Sequence, residues 1–268
     1  GAPASFAGEA LIHRPPVAAA DRAYAPVARL RRQPFAGRIG AFVGLAGMAL
    51  WSVTGTWRFP DALPTRLGLA TWMRNADALG TAGWHTVALG LAAALIAGLL
   101  AVGCLENEAR HGRRAAGRAL WLLYLPLLVP QIAFLFGAQV LLIVVDIDGT
   151  WLALVWAHLV YVLPYVFLSL VDPWRSWDAR YGRSAACLGA SPWRVFRAVK
   201  LPMLLRPLLV ALAVGFAISV GQYLPTLFAG AGRFATLTTD AVSLAASGNR
   251  RVIGVYALLQ MALPFVAF

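Results

Sequence analysis

Six apolar segments, each close to the length of a bilayer crossing, constrain this sequence more than any other feature. A helix needs about 20 apolar residues to cross the hydrocarbon core of a membrane. No Asp, Glu, Lys or Arg lies in the middle of any segment, as the cost of burying charge in lipid requires. The segments run over Ile39–Trp57, His85–Leu105, Ala119–Val145, Trp151–Val171, Pro207–Ala229 and Val252–Phe268. We therefore predict an all-α membrane protein with about six transmembrane helices.

Composition favours a chain solvated by lipid over a soluble domain. Hydrophobic residues make up 60% of the 268 residues and charged residues only 13%, with a mean hydropathy of +0.70. Soluble domains carry about 25% charged residues. The net charge of +12 is compatible with nucleic-acid binding, but the basic residues form short clusters between the apolar segments. We therefore predict no nucleic-acid partner, and we assign the positive charge to loops that face anionic lipid.

The Lys and Arg residues also orient the chain. When successive connections alternate between the two sides, 17 of the 23 Lys and Arg residues fall on one side and 6 on the other. The positive-inside rule then places the N-terminus and the long connection over residues 172–206 in the cytoplasm. Residues 1–37 are predicted to be a cytoplasmic tail or a linker between two halves. Residues 38–268 are predicted to form the transmembrane domain, with a C-terminus cut short inside an apolar run.

Residue types that bind metals or perform catalysis are scattered. The four histidines form no helical i, i+4 pair, and the two cysteines form no CxxC motif; they stand at His13, His85, His111, His158, Cys104 and Cys187. No Gly-rich phosphate-binding loop of the GxxxxGK[ST] type is present. We therefore predict no metal site, no cofactor, no disulfide framework and no enzymatic activity on this chain.

The connection between the fourth and fifth segments contains two predicted short helices, over residues 178–202. Asp178 is a helix N-cap residue, and Gly189 can end a helix in the left-handed conformation. Ser191 followed by Pro192 is typical of a second helix start, and Pro202 marks the return to the membrane. Such a long connection is uncommon unless it is functional.

This loop resembles the coupling loop of binding-protein-dependent ABC-importer permeases. The family pattern is Glu-Ala-Ala, three residues, Gly, nine residues, Ile, one residue, Leu-Pro. The positions that correspond to this pattern are Arg183, Ser184, Ala185, Gly189, Val199, Leu201 and Pro202. The first of them departs from the family, because Arg183 stands where an acidic residue is usual.

The resemblance, which is closest to thiamine, iron, polyamine and sulfate importers, implies a function and partners. It implies a permease subunit in a bacterial inner membrane that passes a small solute, delivered by a periplasmic binding protein, into the cytoplasm. Separate ATPase subunits would drive transport through the loop 178–202, and a second permease half, fused or separate, would complete the pathway. The alternative is a secondary transporter or channel that is not coupled to an ATPase. Such a protein is expected to carry membrane-buried ionisable residues or a polar filter.

Polar residues near predicted helix breaks are candidates for the substrate pathway. Gly221 and Pro225 are expected to break the fifth segment, and transporters often bind solute beside such breaks. The candidate pathway residues are Gln222, Tyr223, Pro225, Thr226, Gln131 and Gln139. The alternative for these residues is hydrogen bonding and close packing between helices. For His158 in the fourth segment the alternatives are a proton relay and a packed, hydrogen-bonded histidine.

Overall fold

The computed structural model describes residues 40, 42–55, 67–112 and 117–268. The predicted tail over residues 1–37 lies outside the described residues. The chain divides into two compact units, Gly1–Gly47 and Met48–Phe268. In the first unit the described residues, 40 and 42–47, are helical. The core and the candidate site belong to the second unit.

The described part of the chain is built from helices, and no β-strand occurs in it. The predicted class, an all-α membrane protein, is confirmed. In chain order the elements are α1 (Phe42–Val53), α2 (Ala70–Arg74), α3 (Ala76–His111), α4 (Gly117–Leu128), α5 (Gln131–Val144), α6 (Trp151–Arg175), α7 (Ala179–Cys187), α8 (Pro192–Val195), a π-helical segment (Phe196–Lys200), α9 (Leu201–Met203), α10 (Leu205–Val220), α11 (Leu224–Gly230), α12 (Leu237–Ser247) and α13 (Arg250–Ala267).

Among the described residues, α3, α6 and α13 are long and apolar enough to cross a membrane. The number rises to five if each of two bent helix pairs forms one span. The predicted third segment is not one straight helix, because α4 and α5 meet at 110°. Pro130 lies between them with extended backbone (φ −51°, ψ 123°), and a proline cannot donate the hydrogen bond that would continue the helix. The predicted first segment contains α1, a shorter apolar helix over Phe42–Val53; residue 41 and residues 56–66 lie outside the described residues.

The core lies where α3, α6 and α10 pack against one another. Small residues of α3 (Ala93, Ala97 and Ala101) are almost completely buried there. Gly215 of α10 lies so close to α6 that an added Cβ would be 2.6 Å from Val166 Cγ2. Small residues at such crossings let membrane helices approach closely and gain dispersion contacts.

Helix α3 continues well beyond its predicted apolar segment. The helix extends through the polar sequence Glu106–Arg110 and ends at His111, where Gly112 adopts a left-handed conformation (φ +63°). This extension carries Glu106 and Glu108 to the end of the core from which the loop 178–202 emerges. The bounds of α3 therefore determine which charged groups the loop can meet.

Candidate functional site

Helix α7 forms where the sequence predicted the first loop helix. The Asp178 carboxylate accepts a hydrogen bond from the Arg180 backbone N–H at 2.9 Å and so caps the helix. Gly189 follows the helix with φ +81°, the left-handed conformation that glycine adopts without strain. The predicted N-cap and the predicted left-handed glycine are both confirmed. None of the nine residues of α7 is buried.

The exposed face of α7 includes apolar side chains. Tyr181 is 54% exposed and Leu188 at the C-cap is 88% exposed. The neighbouring Arg183 and Ser184 are exposed, and Ala185 is half-buried. An amphipathic helix with uncovered apolar residues is suited to a groove on another protein.

The second loop helix begins as predicted but becomes irregular. Ser191 Oγ accepts a hydrogen bond from the Arg194 backbone N–H at 3.3 Å, with Pro192 at the first helical position. After α8 the backbone winds as a π-helix over Phe196–Lys200, a form found frequently at functional sites. Of the remaining loop positions, Val199 and Leu201 are half-buried and Pro202 is exposed. The helix pair Pro192–Met203 and Leu205–Val220 then bends by 70°.

Lys200 ends the π-helical segment and is buried, with 5% of its surface exposed. Its Nζ lies 2.7 Å from Glu106 Oε2 of α3. The same ammonium lies 4.8 Å from the ring centroid of Trp174 and 5.1 Å from that of Trp177. We name Lys200, Glu106, Trp174 and Trp177 the cytoplasmic joint, following the predicted orientation of the loop. A buried charge is tolerated when it is paired in this way.

A second, neutral set of polar contacts lies in the span formed by α6. His158 Nδ1 is 2.8 Å from Ser219 Oγ of α10, and His158 Nε2 is 2.9 Å from Thr226 Oγ1 of α11. Thr226 also donates to the Gln222 carbonyl at 2.7 Å. We name His158, Ser219 and Thr226 the histidine cluster. It spans the predicted break between α10 and α11, which is confirmed at Gly221–Tyr223.

Two of the candidate pathway residues line one cavity. Its volume is about 280 Å³, and its polar lining side chains are Gln131, Gln222, Tyr161 and Tyr165. The Gln222 carboxamide oxygen and the Tyr161 hydroxyl are buried, and neither has a hydrogen-bond partner. Such groups are costly when they stay unpaired. The cavity can therefore offer hydrogen bonds to a polar solute that reaches them.

The other candidate pathway residues lie elsewhere. Thr226 belongs to the histidine cluster, where it packs between helices. Pro225 is buried and Tyr223 is half-buried, and neither lines the cavity. Gln139 lies further along α5, also outside the cavity lining, with a buried, unpartnered carboxamide oxygen.

The connection between α11 and α12 is held by polar contacts. Arg233 Nη1 donates to the Gly149 carbonyl at 3.5 Å and so joins this connection to the turn before α6.

Burial raises the pKa of the Asp240 carboxyl in α12, and a hydrogen bond with Tyr256 acts in the opposite direction. In the part of the chain that the structure describes, no three His, Cys, Asp or Glu side chains come close enough to hold a metal ion.

A known protein family matches the part of the chain that contains the loop and both polar clusters. The model of the family described as "Binding-protein-dependent transport system inner membrane component" matches residues 90–268, about two thirds of the chain. The chain belongs to this family. The matched residues include the loop 178–202, the cytoplasmic joint and the histidine cluster.

Relatives of this permease are themselves named as transport permeases. The chain is 41% identical over 184 residues to the inner membrane ABC transporter permease protein YnjC of Escherichia coli. That match covers 69% of the chain but only 35% of the relative, so the permease spans about a third of that protein. It is 25% identical over 193 residues to the spermidine/putrescine transport system permease protein PotC of Haemophilus influenzae, covering 70% of the chain and 74% of the relative. The predicted class, a multi-pass inner-membrane permease of an ABC importer, is confirmed.

Sequence reasoning missed the partners of two important side chains in the permease. The sequence patterns do not single out Lys200, yet it forms an ion pair with Glu106, 94 positions away. The signal that could have found it is a lysine beside the Leu-Pro motif, with two tryptophans at the preceding helix end. The two partners of His158 carry no comparable local signal, because serine and threonine are common in membrane helices.

Proposed function

We propose that this permease passes a small solute, delivered by a periplasmic binding protein, into the cytoplasm. Separate ATPase subunits dock on the loop 178–202 and drive transport through it. The N-terminus and this loop face the cytoplasm, as the distribution of Lys and Arg indicates. A second permease half, on the same chain or another, completes the pathway.

The observation that carries this proposal is the structure of α7. It is capped at Asp178, it ends at a left-handed Gly189, and it exposes Tyr181 and Leu188. A helix with no buried residue is not needed for the core of this chain. Its apolar residues are suited to a partner, and the spacing from Gly189 to Leu201-Pro202 is that of the family's ATPase-docking loop.

For the substrate pathway we propose the cavity lined by Gln131 and Gln222. Tyr161 and Tyr165 on α6 face the same cavity, so glutamine amides and tyrosine hydroxyls are available to a solute. Among the described residues, no Asp, Glu, Lys or Arg lines this cavity. A polar solute that forms hydrogen bonds fits this lining. A relative is named for spermidine and putrescine transport, and such amines test the proposal because this lining offers their ammonium groups hydrogen bonds but no carboxylate.

A backbone substitution at Gly189 tests the coupling role. Valine is strained at φ +81° because β-branched residues rarely adopt positive φ. We expect Gly189→Val to leave the permease inserted and to abolish most ATP-driven uptake, because α7 and α8 no longer keep their relative orientation. Uptake is measured in proteoliposomes that contain the full-length transporter, its ATPase and the binding protein. The cargo is the ligand that mass spectrometry identifies on the purified binding protein.

Gly232→Val is the matched control. Gly232 also has positive φ (+72°), and at both glycines an added Cβ meets no atom within 4 Å. The two substitutions therefore introduce similar strain in different loops, and only Gly189→Val is expected to abolish most of the uptake. Normal uptake by Gly189→Val would refute the coupling role. A full-length protein that binds no ATPase and transports without ATP would instead be a secondary transporter or channel.

A further inference from the structure

A partner that binds α7 can move the membrane helices only if α7 is connected to them. It has no buried residue, and it packs mainly on α8 and the π-helical segment. A cavity of about 330 Å³ is lined by Ala109 and Arg110 of α3 on one side and by Gly182 and Ala186 of α7 on the other. Close packing of α7 on α3 is therefore absent at this cavity. A displacement of α7 must reach α3 by another route.

Lys200 lies at the edge of the same cavity and supplies that route. It follows α8 directly through the π-helical segment, and its ammonium is 2.7 Å from Glu106 of α3. Its two aromatic contacts belong to other segments, because Trp174 lies in α6 and Trp177 lies just before α7. One buried ammonium thus contacts α3, the end of α6 and the entry to α7.

The contacts of this ammonium are direct and protected from water. Lys200 is 5% exposed and Trp174 is 3% exposed. Cation–π contacts strengthen when the cation is desolvated, and an ion pair at low exposure is little screened by salt. The neighbouring Trp177 also touches α7, since an added Cβ at Gly182 would lie 3.0 Å from Trp177 Cη2.

A second ion pair nearby provides a contrast. Arg175 at the end of α6 donates to both carboxylate oxygens of Glu108, at 3.0 to 3.3 Å. This pair joins α3 directly to α6 and includes no residue of the loop. Among the described residues, two ion pairs join the end of α3 to other segments, and of these two the pair made by Lys200 reaches the loop.

We propose that Lys200 is a positioning residue that fixes the loop 178–202 to α3, so that movement of the loop is passed to the membrane helices. The coupling part of this proposal rests on the proposed function, in which an ATPase moves α7. The mechanical part does not, because the attachment of the loop to α3 exists in the permease alone. The ion pair with Glu106 makes the attachment, and the two tryptophans hold the ammonium in place.

The chain carries its own probes for a test. Cys104 on α3 and Cys187 at the end of α7 are both free and exposed, so each can receive a spin label. Double electron–electron resonance then gives the distance distribution between α3 and the loop in the full-length permease, with any other cysteines replaced. We expect one narrow distance in the parent protein. Lys200→Met should lose the narrow distance, and Lys200→Arg, which keeps the cation, should retain it.

Two further variants separate the attachment from a general loosening of the fold. Glu106→Gln breaks the same ion pair from the α3 side and should broaden the distribution of distances between the two labels. This variant tests the attachment even where Lys200→Met does not fold. Arg175→Met, the matched control, breaks the ion pair that excludes the loop and should leave the distribution narrow. A narrow distance in Glu106→Gln and in any folded Lys200→Met overturns the proposal. Equal broadening in Arg175→Met also overturns it.

Adding the ATPase, ATP and the binding protein to the permease tests the coupling part. If the ATPase binds, Lys200→Met should keep ATP hydrolysis and lose the ATP-dependent uptake that Arg175→Met retains. Unchanged uptake per ATP in Lys200→Met would refute coupling through this residue. Failure of any ATPase to bind would refute the proposed function, while the distance measurement on the permease alone would still decide the attachment.

Discussion

The cytoplasmic joint and the histidine cluster both hold a helix break in place, but they do so with opposite chemistry. The joint secures the chain before the bend at Leu204 with a charged pair, Lys200 and Glu106. The cluster secures the break between α10 and α11 with neutral groups around His158. Both sets are formed by residues far apart in the sequence. In each, one side chain contacts two or more other segments.

Their surroundings account for the difference. Glu106 keeps 17% of its side chain exposed and also pairs with Arg110 at 2.8 Å, so the joint borders a polar region. His158 is 1% exposed inside an apolar span, where unpaired charge is expensive. Serine and threonine hydroxyls satisfy a neutral imidazole without introducing charge. The packed alternative for His158, stated from the sequence, is therefore the one that this geometry supports.

The largest effect on stability is expected from removing the imidazole. His158→Leu leaves the Ser219 hydroxyl without the partner it has in the structure, whereas Thr226 still donates to Gln222. Hydrogen bonds between membrane helices average about 0.6 kcal/mol, and an unsatisfied buried group costs about 1–3 kcal/mol. We expect a loss of about 2 kcal/mol, measured by thermal or denaturant unfolding of the purified permease.

A second histidine provides the control. His85 makes one hydrogen bond, from Nδ1 to the Ala235 carbonyl at 2.9 Å, and it is half-buried. Because water can replace that bond, His85→Leu should cost less than His158→Leu. Adding Ser219→Ala to His158→Leu should recover part of the loss, since no hydroxyl then lacks a partner. Equal losses at the two histidines would mean that the histidine cluster does not stabilise the break.

A smaller, local effect is expected from removing helix caps. Helix α7 has no buried residue to stabilise it, so its N-cap should matter; Asp178→Ala should cost about 1 kcal/mol of helix stability. Hydrogen exchange of the α7 amides should then accelerate roughly fivefold. Thr150→Val removes the corresponding cap of α6, where Thr150 Oγ1 accepts from Ala153 N–H at 3.2 Å. Since α6 is long and largely buried, its exchange should stay slow, and rapid exchange there would contradict this contrast.

Local signals in the sequence predicted the elements but not the contacts between them. Asp178, Gly189 and Ser191 define the loop helices through caps and a left-handed turn, which depend on neighbouring residues alone. The pairing of Lys200 with Glu106 depends on how far α3 extends. The prediction ended that helix at Leu105, one residue before the partner. The 110° angle at Pro130 depends on packing, because proline signals a break but not its direction.

The exposed charges of α7 should affect binding rather than folding. The loop carries Arg180, Arg183, Arg194 and Arg197 against one acidic residue, Asp178. Because Arg183 is exposed, Arg183→Glu should change the free energy of unfolding by less than about 0.5 kcal/mol. A basic loop favours an acidic groove on the ATPase, so we expect the same change to weaken docking, more at low salt than at high salt.

The docking experiment compares the affinity of the purified permease for its ATPase across a salt series. Arg74→Glu is the control, because Arg74 is an exposed arginine near the end of α2, in a connection assigned to the opposite side of the membrane. It should leave the affinity unchanged. If Arg183→Glu instead strengthens docking, the groove is basic, and it accepts the acidic residue that the family usually places at this position. In that case Arg183 weakens the docking of α7 relative to the acidic residue usual in the family.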